Sequence, residues 1–144
     1  MKRRQKGITS VEFAVIGSVL YMMLFGVIEF GRLMYTFAVL DEGTRRAARL
    51  AAVCPIGAFT IRTTVDFAGL PRFNPGNVRV RYLDENGNAT ANYAAINFVQ
   101  VQIVDYFIPL TIPFINPTIT APSFTVTLPR ESLGVSSTAV GFCG

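Results

Sequence analysis

Few residues in this chain combine a type and a position that chemistry needs, and Glu12 is the clearest of them. It lies five residues after Gly7, directly before an uncharged apolar run from Phe13 to Ile28. A carboxylate at the mouth of a membrane-crossing helix is costly and is by default functional. In a bundle of helices it would need a partner, and the free amino group of a neighbouring chain would serve. The alternative is a carboxylate at the level of the lipid headgroups.

A short basic segment, residues 1–7, precedes the apolar run and ends at Gly7. A small residue leaves room around a scissile bond, so Gly7 suits the position before a cut. Ile8 would then become the new N-terminus, and Glu12 would be close to it. The alternative is an uncleaved N-terminal anchor that keeps the basic segment.

The usual catalytic groups are scarce. The chain has no His, so the commonest general base and metal ligand is missing. Its serines therefore have no imidazole to activate them, and no phosphate-binding glycine motif is present. The acidic pairs Asp41-Glu42 and Asp84-Glu85 lie beside an expected helix start and an expected turn, where acidic residues are ordinary. We expect no enzyme, no catalytic residue, no cofactor and no metal site.

The positive charge of the chain is concentrated at its tip. The sequence has 13 basic and 9 acidic residues, a net charge of +4. Four of the basic residues lie in residues 1–7, so the remainder is formally neutral. A nucleic-acid interface needs basic residues clustered on a folded domain. We therefore expect no nucleic-acid partner.

The apolar run predicts a long helix over residues 8–53 that spans a membrane at about residues 11–35. Pro55 should end it. The basic residues lie before the run, so the positive-inside rule keeps the N-terminus cytoplasmic and places the later region outside. A secretory signal peptide would end in a small-x-small cleavage site, which the residues after Ile28 do not provide.

Two further features of this helix concern its contacts. Glu29 and Arg32 are three residues apart, share a helical face and are able to pair. Pairing within one chain and bridging between subunits are both open. Ser10, Ala14 and Ser18 form a row of small residues, which either allows another helix to approach closely or is ordinary membrane-helix composition.

The region after the helix has a strand pattern. Apolar and polar side chains alternate in three segments, residues 78–82, 99–103 and 124–128, which predicts half-buried strands. Asn86-Gly87 is a turn signal. The proline-rich segment 108–122 predicts extended or loop structure, because repeated prolines disrupt a central strand. The predicted fold class is α+β: a long N-terminal transmembrane helix followed by a small antiparallel β-sheet domain over residues 54–144.

Two cysteines, Cys54 and Cys143, lie at the two ends of this later region. A distant and even pair in an exported domain predicts one disulfide. Two free thiols are the alternative.

The N-terminal region, from Gly7 through the Ala/Arg-rich segment that follows Ala47, resembles that of TadE-like proteins. These are minor pilins or pseudopilins of the Tad (tight adherence) branch of type IV pilus systems. The resemblance rests on Gly7, on Val11-Glu12-Phe13-Ala14 and on the second motif, Glu29-Phe30-Gly31-Arg32. The strand-rich region matches the family only in general character, and the cysteine arrangement is not a required feature.

The resemblance implies that a prepilin peptidase cleaves between Gly7 and Ile8. It also implies a structural role in assembling an adhesive pilus, with Glu12 and Phe13 setting the register between subunits. Expected partners are the peptidase, other pilin or pseudopilin subunits and the inner-membrane assembly machinery. The chain would cross the inner membrane once, with its C-terminal domain periplasmic, and could enter the pilus. Two alternatives are a pseudopilin of a related secretion system and an unprocessed single-pass protein with an extracytoplasmic binding domain.

Overall fold

The computed structural model describes residues 8–58, 61, 67, 70–112, 117–133 and 143. Within them, one long helix, α1 (Ile8–Val53), precedes two single-turn 3-10 helices and a set of short strands. The 3-10 turns are Pro75–Asn77 and Tyr93–Ala95, and the strands are β1 (Val78–Leu83), β2 (Phe98–Ile103), β3 (Phe107–Pro109), β4 (Thr118–Thr120) and β5 (Thr125–Pro129). This layout confirms the α+β prediction. The basic segment of residues 1–7 lies outside the described residues.

The chain divides into two compact units, Met1–Tyr35 and Thr36–Gly144. In its described part the first unit is the apolar portion of α1. The second unit holds the remainder of α1 together with all the strands named above. The sequence pattern separated helix from strands after Val53, whereas the compact domain starts inside the helix, at Thr36.

The second part of α1 belongs to the domain because one of its faces is buried. The buried residues recur every three or four positions, the spacing of one helical face, and most of them are small: Thr36, Leu40, Gly43, Thr44, Ala47, Ala48, Ala51 and Ala52. Small side chains let the backbone of the helix approach its neighbours closely. Leu40 is fully buried, and burying such a side chain stabilises the fold by roughly 1.5–3 kcal/mol.

The main sheet is antiparallel, with the strand order β1-β2-β5. Its central row of cross-strand partners is Val80, Val101 and Val126. Val99, Val101 and Ile103 are buried along β2, whereas the alternate residues Gln100 and Gln102 are half-buried. The strands fall within about one residue of the predicted segments, because period-2 alternation is a direct signature of a sheet with one covered face.

Part of the segment 108–122 is extended, one of the two structures predicted for it, whereas the pairing of its strands was not predicted. β3 and β4 pair in a second, two-stranded antiparallel sheet, with Phe107 opposite Thr120. Pro109 ends β3, where a missing N–H is tolerated in a short edge strand. Two backbone bonds continue the pairing between the two sheets: the Ile103 N–H donates to the Phe124 carbonyl and the Ala121 N–H donates to the Tyr106 carbonyl, each at 2.9 Å. The described residues of 98–112 and 117–129 therefore form the two arms of one bent hairpin.

Asn77 holds the bend of this hairpin. Its side-chain Nδ2 donates to the carbonyl oxygens of Val104 and Asp105, each at 3.0 Å. The Val104 N–H returns a bond of 2.8 Å to the Asn77 carbonyl. Asp105 has a φ of 53°, a left-handed conformation that is costly for most residues and better tolerated by Asp. The contacts of Asn77 thus fix a backbone conformation that β2 alone would not adopt.

The predicted turn after β1 is present. The Gly87 N–H donates to the Asp84 carbonyl at 3.1 Å, and Gly87 has a φ of 81°, which glycine adopts without steric cost. The Asp84 carboxylate accepts from the backbone N–H groups of Asn86 and Asn88 at 2.9 and 2.8 Å. This acidic residue therefore shapes a turn, as the sequence indicated.

Candidate functional site

The first part of α1 presents its apolar side chains outward. Its most apolar 18-residue window has none of its residues buried within the chain. By length and composition this helix is able to cross a membrane, and among the described residues it is the one such helix. Its exposed side chains need a cover other than this chain, since a contiguous apolar surface of this kind marks a membrane or protein contact.

Glu12 is an exposed residue in this apolar part of α1, and it lies beyond the first turn of the helix. The attraction between a carboxylate and the helix dipole falls off within that turn, so the dipole offers Glu12 little stabilisation. Within the part of the chain that the structure describes, its carboxylate has no hydrogen bond and no ion pair. Phe13 beside it is strongly exposed. The pair thus combines a charge and an aromatic ring, both directed away from their own chain.

The residues at the expected cleavage point are described only in part. Gly7 lies outside the described residues, whereas Ile8 is the first residue of α1 and is exposed. An amino group created at Ile8 would therefore stand at the start of the helix, about one turn from Glu12.

Glu29 and Arg32 pair within one chain. The Arg32 Nη2 lies 2.5 Å from the Glu29 Oε1, and the Arg32 Nε donates to Oε2 at 3.2 Å. This two-pronged contact matches the planar fork of a guanidinium to a carboxylate. It neutralises both charges at the far end of the uncharged run, so the helix does not present a bare ion there.

A second set of charges follows in the domain part of α1. Arg45 pairs with Asp41 at 3.1 Å, and Arg46 pairs with Glu42 at 2.8 Å. α1 runs through Asp41 and Glu42 without a break, in agreement with the predicted helix over residues 8–53, so these two residues do not mark a helix start. These exposed pairs at i and i+4 stabilise a helix by only a few tenths of a kcal/mol, about 0.3–0.5. They form a solvated face.

Cys54 and Cys143 form a disulfide, with their Cα atoms 5.6 Å apart. Cys54 comes directly after the last residue of α1, and both cysteines are buried. The bond closes a loop of 89 residues in sequence separation. It therefore ties the end of the helix to the end of the domain, and neither cysteine remains a free thiol.

One packing feature of the domain had no sequence signal of its own. A Cβ added at Gly43 would lie 2.8 Å from Cδ1 of Phe67 and would contact two further carbons of that ring. Phe67 itself stacks on Phe73, with ring centroids 4.0 Å apart. Gly43 is thus the point at which an aromatic ring lies directly on the helix backbone. Only the position of this glycine on the buried helical face hinted at such a contact.

No group of three or more His, Cys, Asp or Glu side chains within the described residues is arranged to hold a metal ion. The groups with chemical character are thus a carboxylate on an apolar helix, an internally neutralised ion pair and a disulfide. This arrangement suits anchoring and contact between molecules.

One membrane-length helix among the described residues, followed by a small disulfide-closed β domain, suggests a single-pass membrane protein. The TadE-like protein family matches residues 7–49 of this chain, which confirms the resemblance seen in the sequence. The matched segment includes Gly7, Glu12 and the Glu29–Arg32 pair. No curated protein and no solved structure matches the chain. The family match and the apolar helix together fit a protein related to Tad pili.

Proposed function

We propose that this chain is a structural minor pilin or pseudopilin that takes part in assembling a Tad-type adhesive pilus. The observation that carries the proposal is the match to TadE-like proteins over residues 7–49. That segment coincides with the part of the chain whose exposed apolar surface needs a membrane or another subunit as cover. The role needs anchoring and contact surfaces, and it requires no enzymatic activity of this chain.

Processing by a prepilin peptidase between Gly7 and Ile8 is the first step of the proposed function. In its support, the family match begins at Gly7. Cleavage there would remove the basic segment, which holds the N-terminus on the cytoplasmic side while it is present. It would also create a positively charged amino group at the helix start.

Glu12 would then set the register between subunits. Its carboxylate has no partner among the described residues of its own chain, and the new amino group of a neighbouring subunit offers the opposite charge. Removing one member of a buried ion pair is strongly unfavourable, by about 3–5 kcal/mol, because the other charge stays unpaired. A subunit displaced along the helix axis would pay the same cost. Phe13, exposed beside Glu12, would pack at the same contact.

The proposed location is the inner membrane, crossed once, with the N-terminus cytoplasmic and the domain periplasmic. The disulfide supports this orientation, because disulfides form and persist in oxidising compartments such as the periplasm. Both cysteines follow the membrane-length part of α1. The partners would be the prepilin peptidase, other pilin or pseudopilin subunits and the assembly machinery of the inner membrane.

Two other functions use the same features. A pseudopilin of a related secretion system would share the processing and the helix contacts. An unprocessed single-pass protein with an extracytoplasmic binding domain would share only the anchor and would keep residues 1–7. Recovery of the chain in a sheared filament fraction separates a filament subunit from a permanently anchored binding protein.

The test of the proposed assembly role is Glu12→Ala in a host that makes the pilus. We expect the leader still to be removed and the amount of this chain in the filament fraction to fall at least about tenfold, because the amino group of the next subunit loses its partner. Glu85→Ala, which removes an exposed carboxylate from the turn after β1, is the matched control and should leave assembly unchanged. Normal assembly of the Glu12→Ala protein would contradict the proposed register contact.

A further inference from the structure

The two edges of the main sheet differ in how they are protected. The edge formed by β1 is partly covered, because the Thr90 N–H donates to the Tyr82 carbonyl at 2.9 Å and Ala89 bridges to Leu83. It also carries two exposed charges, Arg79 and Arg81. Charged side chains and short covering segments are common means of preventing unwanted strand pairing.

The other edge, formed by β5, lacks this protection among the residues that the structure describes. The Ile103 N–H donates to the Phe124 carbonyl, so in the antiparallel ladder Val126 and Leu128 also direct their backbone groups toward β2. Thr125 and Thr127 therefore direct theirs away from the sheet. Within the described part of the chain, neither backbone pairs with a further strand. The open edge ends at Pro129, which has no N–H to donate.

The side chains along this edge are uncharged. The sequence has no Asp, Glu, Lys or Arg between Asp105 and Arg130. Val126 and Leu128, which continue the buried rows of Val101 and Val99 across the sheet, are only half-buried. A further strand beside β5 would cover these two side chains and satisfy the outward backbone groups at the same time.

The chemistry of the edge restricts its occupant. Open sheet edges do not occur in the hydrocarbon of a bilayer, because their backbone groups would lose their hydrogen bonds with water. A charged strand would be desolvated against an uncharged edge without compensation. The fitting partner is an uncharged extended segment rich in β-branched residues, and β5 of another copy of this chain, Thr125–Pro129, is such a segment.

Membrane anchoring makes a second copy geometrically available. A single-pass protein presents every copy in the same orientation, and a two-fold axis brings one surface patch onto the same patch of another copy. Two β5 strands related by a two-fold axis perpendicular to them would be antiparallel. We propose that β5 of one copy pairs with β5 of a second copy, joining their sheets into one. This pairing requires neither leader cleavage nor entry into a filament.

The test uses the full-length protein in its membrane, with a photoreactive amino acid in place of Ser123, an exposed residue next to β5. We expect a cross-linked dimer in which peptide mapping places the link on the β5 region of a second copy. A double substitution, Thr125→Lys with Thr127→Lys, should lower its yield about tenfold or more, since like charges opposed across an interface are strongly unfavourable. The double Glu variant should do the same.

One mixture and one control substitution make the test specific for a second copy. Co-expression of the double Lys and double Glu variants should restore the dimer, because the charges then oppose each other with opposite sign. The same Lys pair placed at Thr118 and Thr120 of β4, another exposed pair of threonines, should leave the yield unchanged. A continued inability of the Cys54–Cys143 pair to react with a thiol label would show that each variant is folded.

Three results would overturn the pairing. The first is a cross-link that maps to a different protein or to lipid. The second is the absence of a cross-linked product with the unmodified edge. The third is a double Lys variant that dimerises as well as the parent.

Discussion

The two parts of α1 differ in what surrounds them, although the helix is continuous. From Ile8 to Tyr35 the helix is built mostly of large apolar residues, and the described chain leaves most of them exposed. From Thr36 to Val53 its buried face is made largely of Ala, Gly and Thr. Large apolar side chains suit a surface that lipid covers, whereas small ones suit a face against which a folded domain packs closely.

The charges follow the same division. Glu12 and the Glu29–Arg32 pair lie toward the two ends of the apolar part, and the pairs of Arg45 and Arg46 lie on the solvated face of the domain part. Of these, Glu12 has no ion-pair partner among the described residues. An isolated carboxylate on an apolar helix is expensive, and its cost points to a partner outside the chain. The comparison therefore assigns the first part of α1 to contacts between molecules and the second part to the stability of one molecule.

Breaking the disulfide should have the largest effect on the domain and none on the apolar part of the helix. For Cys54→Ser with Cys143→Ser we expect a loss of about 4–5 kcal/mol of unfolding free energy in the chain-entropy model, less any native strain. Thermal unfolding of the detergent-solubilised protein, followed by tyrosine fluorescence, measures the loss. Retained helical circular dichroism in vesicles would show that the apolar helix persists. An unchanged melting temperature would mean that the disulfide does not constrain the domain.

A leucine truncation in each part of α1 tests the division directly. Leu40 is 0% exposed, and Leu40→Ala should cost about 2–5 kcal/mol through lost burial and the cavity that remains. Leu24 is 49% exposed, and Leu24→Ala should leave the unfolding free energy of the domain unchanged within about 0.5 kcal/mol. The same thermal unfolding experiment compares the two. Equal losses would show that the boundary near Thr36 has no energetic meaning.

Two glycine substitutions should have the smallest effects on stability, and these effects should be opposite in sign. Gly26 has no neighbour within 4 Å of an added Cβ, so Gly26→Ala should stabilise the helix or leave it unchanged, since alanine favours a helix over glycine by about 1 kcal/mol. Gly43→Ala should instead destabilise the domain by about 1–2 kcal/mol, because the new methyl group overlaps the Phe67 ring. Chemical denaturation of both variants in the same detergent reports the two signs. A stabilising Gly43→Ala would show that Phe67 moves aside freely.

Much of this architecture follows from local patterns. The uncharged run and Pro55 predicted α1, because a helix of this length needs only continuous propensity and a stop. The alternation along residues 99–103 predicted β2, since one face of the sheet is covered. The pairing of Cys54 with Cys143 followed from the expected compartment and from there being one possible intramolecular pair.

The features that sequence reasoning missed depend on contacts between distant residues. β3 and β4 form although prolines surround them, because the bent hairpin carries the register of β2 and β5 beyond the main sheet. The side chain of Asn77 makes that bend possible, and an asparagine in a turn looks ordinary in sequence. The contact of Gly43 with Phe67 requires the segment after the helix to fold back on it. The partner that we propose for Glu12 belongs to another molecule, so the fold of a single chain does not reveal it.

The most direct test of the account is the identity of the first residue of the mature protein. The protein would be extracted from the membrane of a host that has the prepilin peptidase, and its intact mass and N-terminal peptide would be measured. We predict an N-terminus at Ile8, with Gly7→Leu retaining residues 1–7. An intact leader on the unmodified protein would contradict prepilin processing, reduce Glu12 to an interfacial carboxylate and favour an anchored binding protein.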